Sequence, residues 1–212
     1  MSRRIPIFPL PGVVLLPGTL LPLHIFEPRY RTMVADALEG ERTIGMTMWA
    51  PGADANADEP RILPIGGAGE IVDSERLDDG RYNIVLEGRF RFRVVDEAPP
   101  APYRVARVIE MPSQPLEAAE ADRVTAEAAR EFAPLARSLG LPPLPSEPMA
   151  AERLASEIAL RLRYAPLELQ AILEADSLAD RFETVLSRIR EWAARVEMLA
   201  PFRRGEIDPR RN

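Results

Sequence analysis

The chain is 212 residues long, carries a formal net charge of −6 and is 46% apolar, enough for one large domain or two small ones with a real core. The acidic balance argues against a surface that wraps duplex nucleic acid, because phosphate binding needs a concentrated positive field. All 27 basic residues are arginine, cysteine is absent and His24 is the single histidine, so disulfides, thiolate and histidine-rich metal sites, a Walker A lysine and a serine–lysine nucleophile pair are excluded. Neither a metal nor a cofactor is expected.

In chain order, Ile5 to Phe8 is a short strand, and "PLPGVVLLPG" is a Pro- and Gly-punctuated loop that still carries large aliphatic residues and so packs down. Leu20 to Phe26 is a strand. Pro28 opens a helix to about Leu38, since its missing N–H costs nothing in the first turn. Tyr30, Met33, Val34, Ala37 and Leu38 lie along one side of it. Thr43 to Trp49 is the next strand. The polar, small-residue segment 50–61 is expected to be a mobile hairpin loop. Ile62 to Ile65 and Gly69 to Asp73 continue the sheet. "LDDGRY" has the Asp-Gly pattern of a tight turn. Tyr82 to Glu87 and Arg89 to Val95 are strands with a bulge at Gly88, and Tyr103 to Glu110 closes the set.

From about residue 116 the pattern changes to Ala, Leu, Glu and Arg at helical spacing. Helices are expected over 117–139, 149–163 and 166–174, with a kink at Pro134. Ser177 and Asp180 start a last helix, on which Phe182, Val185, Leu186, Ile189, Trp192, Ala193, Val196 and Leu199 form an apolar stripe. The fold class is therefore α+β: an N-terminal β-rich pseudo-barrel with one helix over 1–112, a C-terminal helical bundle over 116–200, and a frayed tail over 201–212. Prolines interrupt the apolar N-terminus, and no run reaches the roughly 20 residues of a membrane helix, so no membrane partner is expected and the location is read as cytoplasmic.

Three stretches carry the candidate chemistry. In "LPLHIFEPRY", alternation puts Leu21, Leu23 and Ile25 on one face and Pro22, His24 and Phe26 on the other. Catalysis at His24 would need an oriented partner, and none is near in sequence. His24, Glu27, Pro28, Arg29 and Tyr30 are therefore taken as a structural fastener. In it Glu27 caps the helix, Arg29 or Arg31 pairs with Glu27, and His24 bonds a backbone carbonyl. In "GRFRFRV", the functional alternative is an RNA- or nucleotide-binding barrel, with Arg89, Arg91 and Arg93 on phosphates and phenylalanines stacking on bases. Period-two alternation instead predicts the phenylalanines inward and an outward arginine row paired with acids such as Asp73, Glu75 and Glu87. Met46, Met48 and Trp49, beside the polar loop, are the candidate partner-binding residues, because Met and Trp are adaptable contacts of large area. Their alternative role is ordinary core. A hydrolase using paired carboxylates would require two buried acids facing each other.

"FPLPGVVLLPG", "LPLHIFEPRY", "IGGAGEIV", "DDGRYNIVLEGRFRFRV" and "PYRVARV", in that order, resemble the start of the Lon N-terminal domain, the substrate-binding domain of Lon ATP-dependent proteases. The resemblance covers nearly the whole chain. It implies a pseudo-barrel followed by helices and a role in recognising unfolded or partner proteins, with a protease among the expected partners. No catalytic residue is carried over, since there is no lysine with which to build the ATPase or peptidase modules. The expectation is a stand-alone, non-catalytic adaptor or chaperone-like module.

Overall fold

A computed structural model of the chain describes residues 2–54, 57, 59–99 and 102–203. The chain divides into two compact units, Met1–Gln114 with Tyr164–Asp176, and Pro115–Arg163 with Ser177–Asn212. The first unit holds six strands and two helices. Its elements are β1 (Ser2–Leu10), β2 (Leu20–Ile25), α1 (Pro28–Glu39), β3 (Thr43–Met48), β4 (Ile65–Arg76), β5 (Tyr82–Glu97), β6 (Val105–Met111) and α4 (Pro166–Glu174). The second holds α2 (Ala118–Leu139), α3 (Ala151–Arg161) and α5 (Leu178–Arg203).

The sheet order is β2-β5-β4-β3-β1-β6, and β6 also pairs with β5. Five strands thus close into a ring, which removes their free edges. The long strand β5 makes this possible. One side of it serves β2 along Tyr82–Glu87 and then β6 along Arg91–Glu97. Opposite Ala68 and Gly69 the register slips, with Phe90 and Gly88 as their partners, so Arg89 is an extra residue. The expected bulge is there. β1 and β3 are parallel, with β2 and α1 in the crossover. Two clusters fill the barrel: one around Phe8, Leu15, Met33, Met46 and Leu86, the other around Ile5, Ile7, Phe92 and Val108.

The 11–19 loop is part of this packing, with Leu15 and Leu16 each about 1% exposed. Its backbone lies so close to the sheet that a methyl group on Gly67 would fall on the Leu15 carbonyl, and one on Gly88 on that of Leu16. Only a residue without a side chain fits at these two positions.

The helix at 166–174 departs from expectation: it belongs with the β unit instead of the C-terminal helices. Its fasteners are polar. The guanidinium of Arg91 donates to the carbonyls of Leu173 at 2.7 Å and Ala175 at 2.8 Å, at the C-terminal end of α4. A cation is favoured there by the helix dipole and by the unsatisfied carbonyls. Gln170 donates to the Ile65 carbonyl at 2.9 Å, and Ile172 and Leu173 are buried. In the second unit, α2 buries Val124, Ala128, Phe132 and Leu135, and α5 buries Phe182, Val185, Leu186 and Ile189. Beyond Ile189 the stripe surfaces: Trp192 and Val196 are half-buried, Ala193 and Leu199 exposed. Ser177 Oγ accepts from the Asp180 amide at 3.1 Å, as a start signal should. α5 continues through Arg203, and 204–212 of the expected frayed tail lie outside the described residues.

Candidate functional site

Met46 and Met48 are 1% and 4% exposed, so neither offers a surface to a partner. The reason is position: β3 lies between β1 and β4 in the ring, and every residue from Ile44 to Met48 is buried. Trp49 is half-buried just past the strand, in an isolated bridge with Ile62, and its indole Nε1 is buried with no hydrogen-bond partner among the described residues. Of the loop expected to be mobile, residues 55, 56 and 58 lie outside the described residues. Its base is closed by the Ala50 amide donating to the Arg61 carbonyl at 2.8 Å.

The arginine row of 88–94 is outward and solvent-facing at Arg89 and Arg93 but not at Arg91. Arg91 is 1% exposed, clamped on α4. Arg89 pairs with Glu70 at 2.9 Å and Glu87 at 2.8 Å. Arg89 and Arg93 stand exposed as expected, while Phe92 is buried and Phe90, half-buried under Arg3, packs against the same apolar cluster. The alternation holds, with Phe90, Phe92 and Val94 on one apolar cluster; Arg91 is buried because α4 covers it on the other face. No carboxylate is buried among the described residues, so the paired acids that a hydrolase would need are not seen there.

Pro28 is at the first position of α1. Glu27 occupies the N-cap but makes no side-chain cap bond. Its carboxylate instead accepts from Arg29 at 3.0 Å. Arg29 then lies 4.6 Å over the Tyr30 ring, which packs 4.2 Å from Phe8. Burial pushes the Tyr30 hydroxyl above its ordinary pKa.

His24 is exposed, and its partner is a side chain, not a backbone carbonyl. The register sets His24, Asn83 and Glu75 in one row across β2, β5 and β4. Asn83 Oδ1 lies 2.7 Å from His24 Nδ1, and Asn83 Nδ2 donates to Glu75 at 3.0 Å. Arg81 donates to His24 Nε2 at 3.2 Å. Both ring nitrogens of His24 are thus engaged by neighbouring side chains. Arg81 also bonds Asp79 at 2.6 Å. The Arg81 amide and guanidinium together hold the Asp79 carboxyl below its usual range.

The adjacent row is Pro22, Val85 and Asp73. Together the two rows floor a cleft of about 380 Å³ on the outer face of the sheet. Leu20 and Phe26, at the two ends of β2, are 59% and 60% exposed. Phe26 stacks on His24 at 6.3 Å. β2 ends the sheet order, so its second edge carries no strand among the described residues. Sequence alternation alone placed Pro22, His24 and Phe26 together; the partners from β4 and β5 needed the register.

The family model of the ATP-dependent protease La (LON) substrate-binding domain matches residues 4–191. "Lon protease 2" of Myxococcus xanthus is 28% identical over 201 residues, covering 88% of this chain and 23% of that protein. The chain thus spans about a quarter of that relative's length. Two solved structures share the fold. A Lon N-terminal domain protein from Xanthomonas campestris has a TM-score of 0.63 at 23% identity, covering 87% of this chain and 98% of its own. The N-terminal domain of a Mycobacterium avium complex Lon protease has a TM-score of 0.67 at 16% identity, covering 89% and 98%. No helix among the described residues is long and apolar enough to cross a membrane.

Proposed function

Since the chain belongs to the Lon substrate-binding domain family, we propose that it is a non-catalytic module that holds exposed segments of other proteins. In this role it serves as an adaptor for a protease or as a chaperone-like holder. The outer face of β2-β5-β4 is the contact surface. The observation that carries this reading is the pair Leu20 and Phe26, both more than half exposed on an edge strand beside the cleft. Large apolar groups at an interface supply most of its binding energy. An open strand edge can add an extended segment through main-chain hydrogen bonds. The acids Asp73 and Glu75 at the floor favour segments of basic or neutral character. Trp49, half-buried elsewhere in the unit, is a second contact candidate.

The test is fluorescence anisotropy of a labelled, permanently unfolded polypeptide titrated with the chain. Binding with Kd in the tens of micromolar is expected, about −6 kcal/mol or somewhat stronger. Leu20→Ser with Phe26→Ser should weaken it at least tenfold. Absence of binding by the unaltered chain removes the function, and equal affinity of the double variant removes this surface.

A further inference from the structure

A second cavity in the β unit, of about 370 Å³, lies on the other side of the β4–β5 turn, lined by Pro28, Arg31, Thr32, Arg76, Gly80 and Tyr82. Its charge is unlike that of the chain as a whole. Two arginines line it, and no carboxylate does. Twelve arginines of this acidic chain have a carboxylate partner among the described residues, such as Arg29 with Glu27, Arg89 with Glu70 and Arg104 with Glu97. The guanidinium groups of Arg31 and Arg76 make no hydrogen bond or ion pair among the described residues; that of Arg76 has only the Tyr82 ring, 5.9 Å from its carbon. Arg31 helps lower the pKa of Asp79, but that carboxylate is bonded to Arg81 at 2.6 Å. The Thr32 hydroxyl donates to the Pro28 carbonyl at 3.2 Å and is likewise occupied.

The Arg31 guanidinium is also placed, and does not simply trail into solvent. Gly80, at φ +80°, has Arg31 Nη2 where its Cβ would be. A side chain there would be strained by the backbone and would displace the guanidinium. Two like charges sharing one small cavity repel each other, and a group carrying negative charge relieves that repulsion. Guanidinium matches carboxylate and phosphate geometry through paired N–H donors.

We propose that the Arg31–Arg76 pocket is an oxyanion subsite, taking a carboxylate or a phosphate group. The bearer is a segment of bound protein, which rests on the function proposed above; the subsite itself does not depend on it. The cleft by His24 is acidic and the pocket basic, so the two favour different parts of a segment.

The experiment follows the Arg Nε–H resonances of the isotope-labelled chain during titration with two probes. One is inorganic phosphate. The other is a short uncharged peptide with a free C-terminal carboxylate, compared with its C-terminal amide. Saturable shifts at Arg31 and Arg76, with Kd on the order of 1 mM, are expected from at least one probe. The probe that saturates identifies the group. Arg31→Gln with Arg76→Gln should abolish the shifts elsewhere in the pocket while leaving the remaining amide spectrum intact. Each single variant should weaken binding several-fold, which keeps the test open if the double variant folds poorly. Shifts from neither probe, or shifts that persist around the pocket in the variants, overturn the proposal. Phosphate binding with no affinity for unfolded polypeptide would uphold the subsite and remove only the protein segment as its bearer.

Discussion

Two arginines show how differently the two units are held together. Arg91, in the β unit, is 1% exposed and donates to three backbone carbonyls, those of Leu173, Ala175 and Pro112. Arg190, in the helical unit, is 56% exposed and pairs with Glu127 at 2.7 Å and Glu131 at 3.0 Å. The first satisfies polar groups that water cannot reach; the second competes with water for groups that are already solvated. The β unit is specified by tight backbone approaches and buried donors, so it resists substitution at a few points. The helical unit has a buried arginine too, Arg181, paired with Glu152 at 2.6 Å; elsewhere it rests on apolar stripes under a screened charge layer and should tolerate change more evenly.

The sharpest break of this contrast is Gly67→Ala. The added methyl group would occupy the position of the Leu15 carbonyl, which is backbone and cannot step aside. We expect loss of at least about 4 kcal/mol, or failure to fold, read by urea denaturation. A stable variant would mean the 11–19 loop is not tied to the sheet. Arg91→Met comes next. It keeps the length of the side chain and removes the donors, leaving the Leu173 and Ala175 carbonyls without their bonds. About 2–4 kcal/mol should be lost, with faster amide exchange concentrated in 164–176. Uniform loosening of the whole β unit would show that α4 is not a separately fastened element.

Tyr103 offers a pH-dependent version of the same idea. Its hydroxyl donates to Asp36 at 2.8 Å. Burial first, and then the Asp36 carboxylate, push its pKa from 10.0 up to about 12. The folded state thus holds the proton more tightly than the unfolded one. The resulting stabilisation is complete below about pH 10 and is lost as pH rises towards 12. Absorbance at 295 nm should show Tyr30 and Tyr103 titrating late; Tyr103→Phe should remove one of these two steps, and the variant's stability should fall less across that window. Ionisation of Tyr103 near pH 10 would contradict its bond to Asp36.

Much of the β unit was legible because strand and helix periods are local properties. The β2 alternation, the α1 face of Tyr30, Met33, Val34 and Ala37, the Asp-Gly turn and the Gly88 bulge all follow from neighbours in sequence. What was not legible came from register and long reach. Arg91 and Arg93 share one face of β5, and only α4, from far along the chain, buries the first, so the two could not be told apart by counting. The α4 helix was visible, but its home was not, because its bonds join residues 82 to 105 positions apart. Met46 and Met48 resembled a contact surface because a polar loop follows them; only the ring order shows β3 flanked on both sides. The cleft needed Asn83 and Glu75 to be brought beside His24, and the basic pocket needed Arg31 and Arg76 to meet across the turn.

The smallest effect separates the two units best. Arg190→Ala removes two exposed ion pairs at once, yet the helical unit should lose no more than about 1 kcal/mol. Each exposed charge is well solvated when alone, so removing the guanidinium strands no buried group. What is lost should also be screened: at about 1 M salt the Debye length is near 3 Å, and the variant should then match the unaltered chain in urea denaturation. Arg91→Met gives the opposite result, since salt does not reach a buried carbonyl and its deficit should persist. If Arg190→Ala cost as much as Arg91→Met, and did so equally in high salt, the charge layer on α2 and α5 would be a structural clamp, and the distinction between the units would fail.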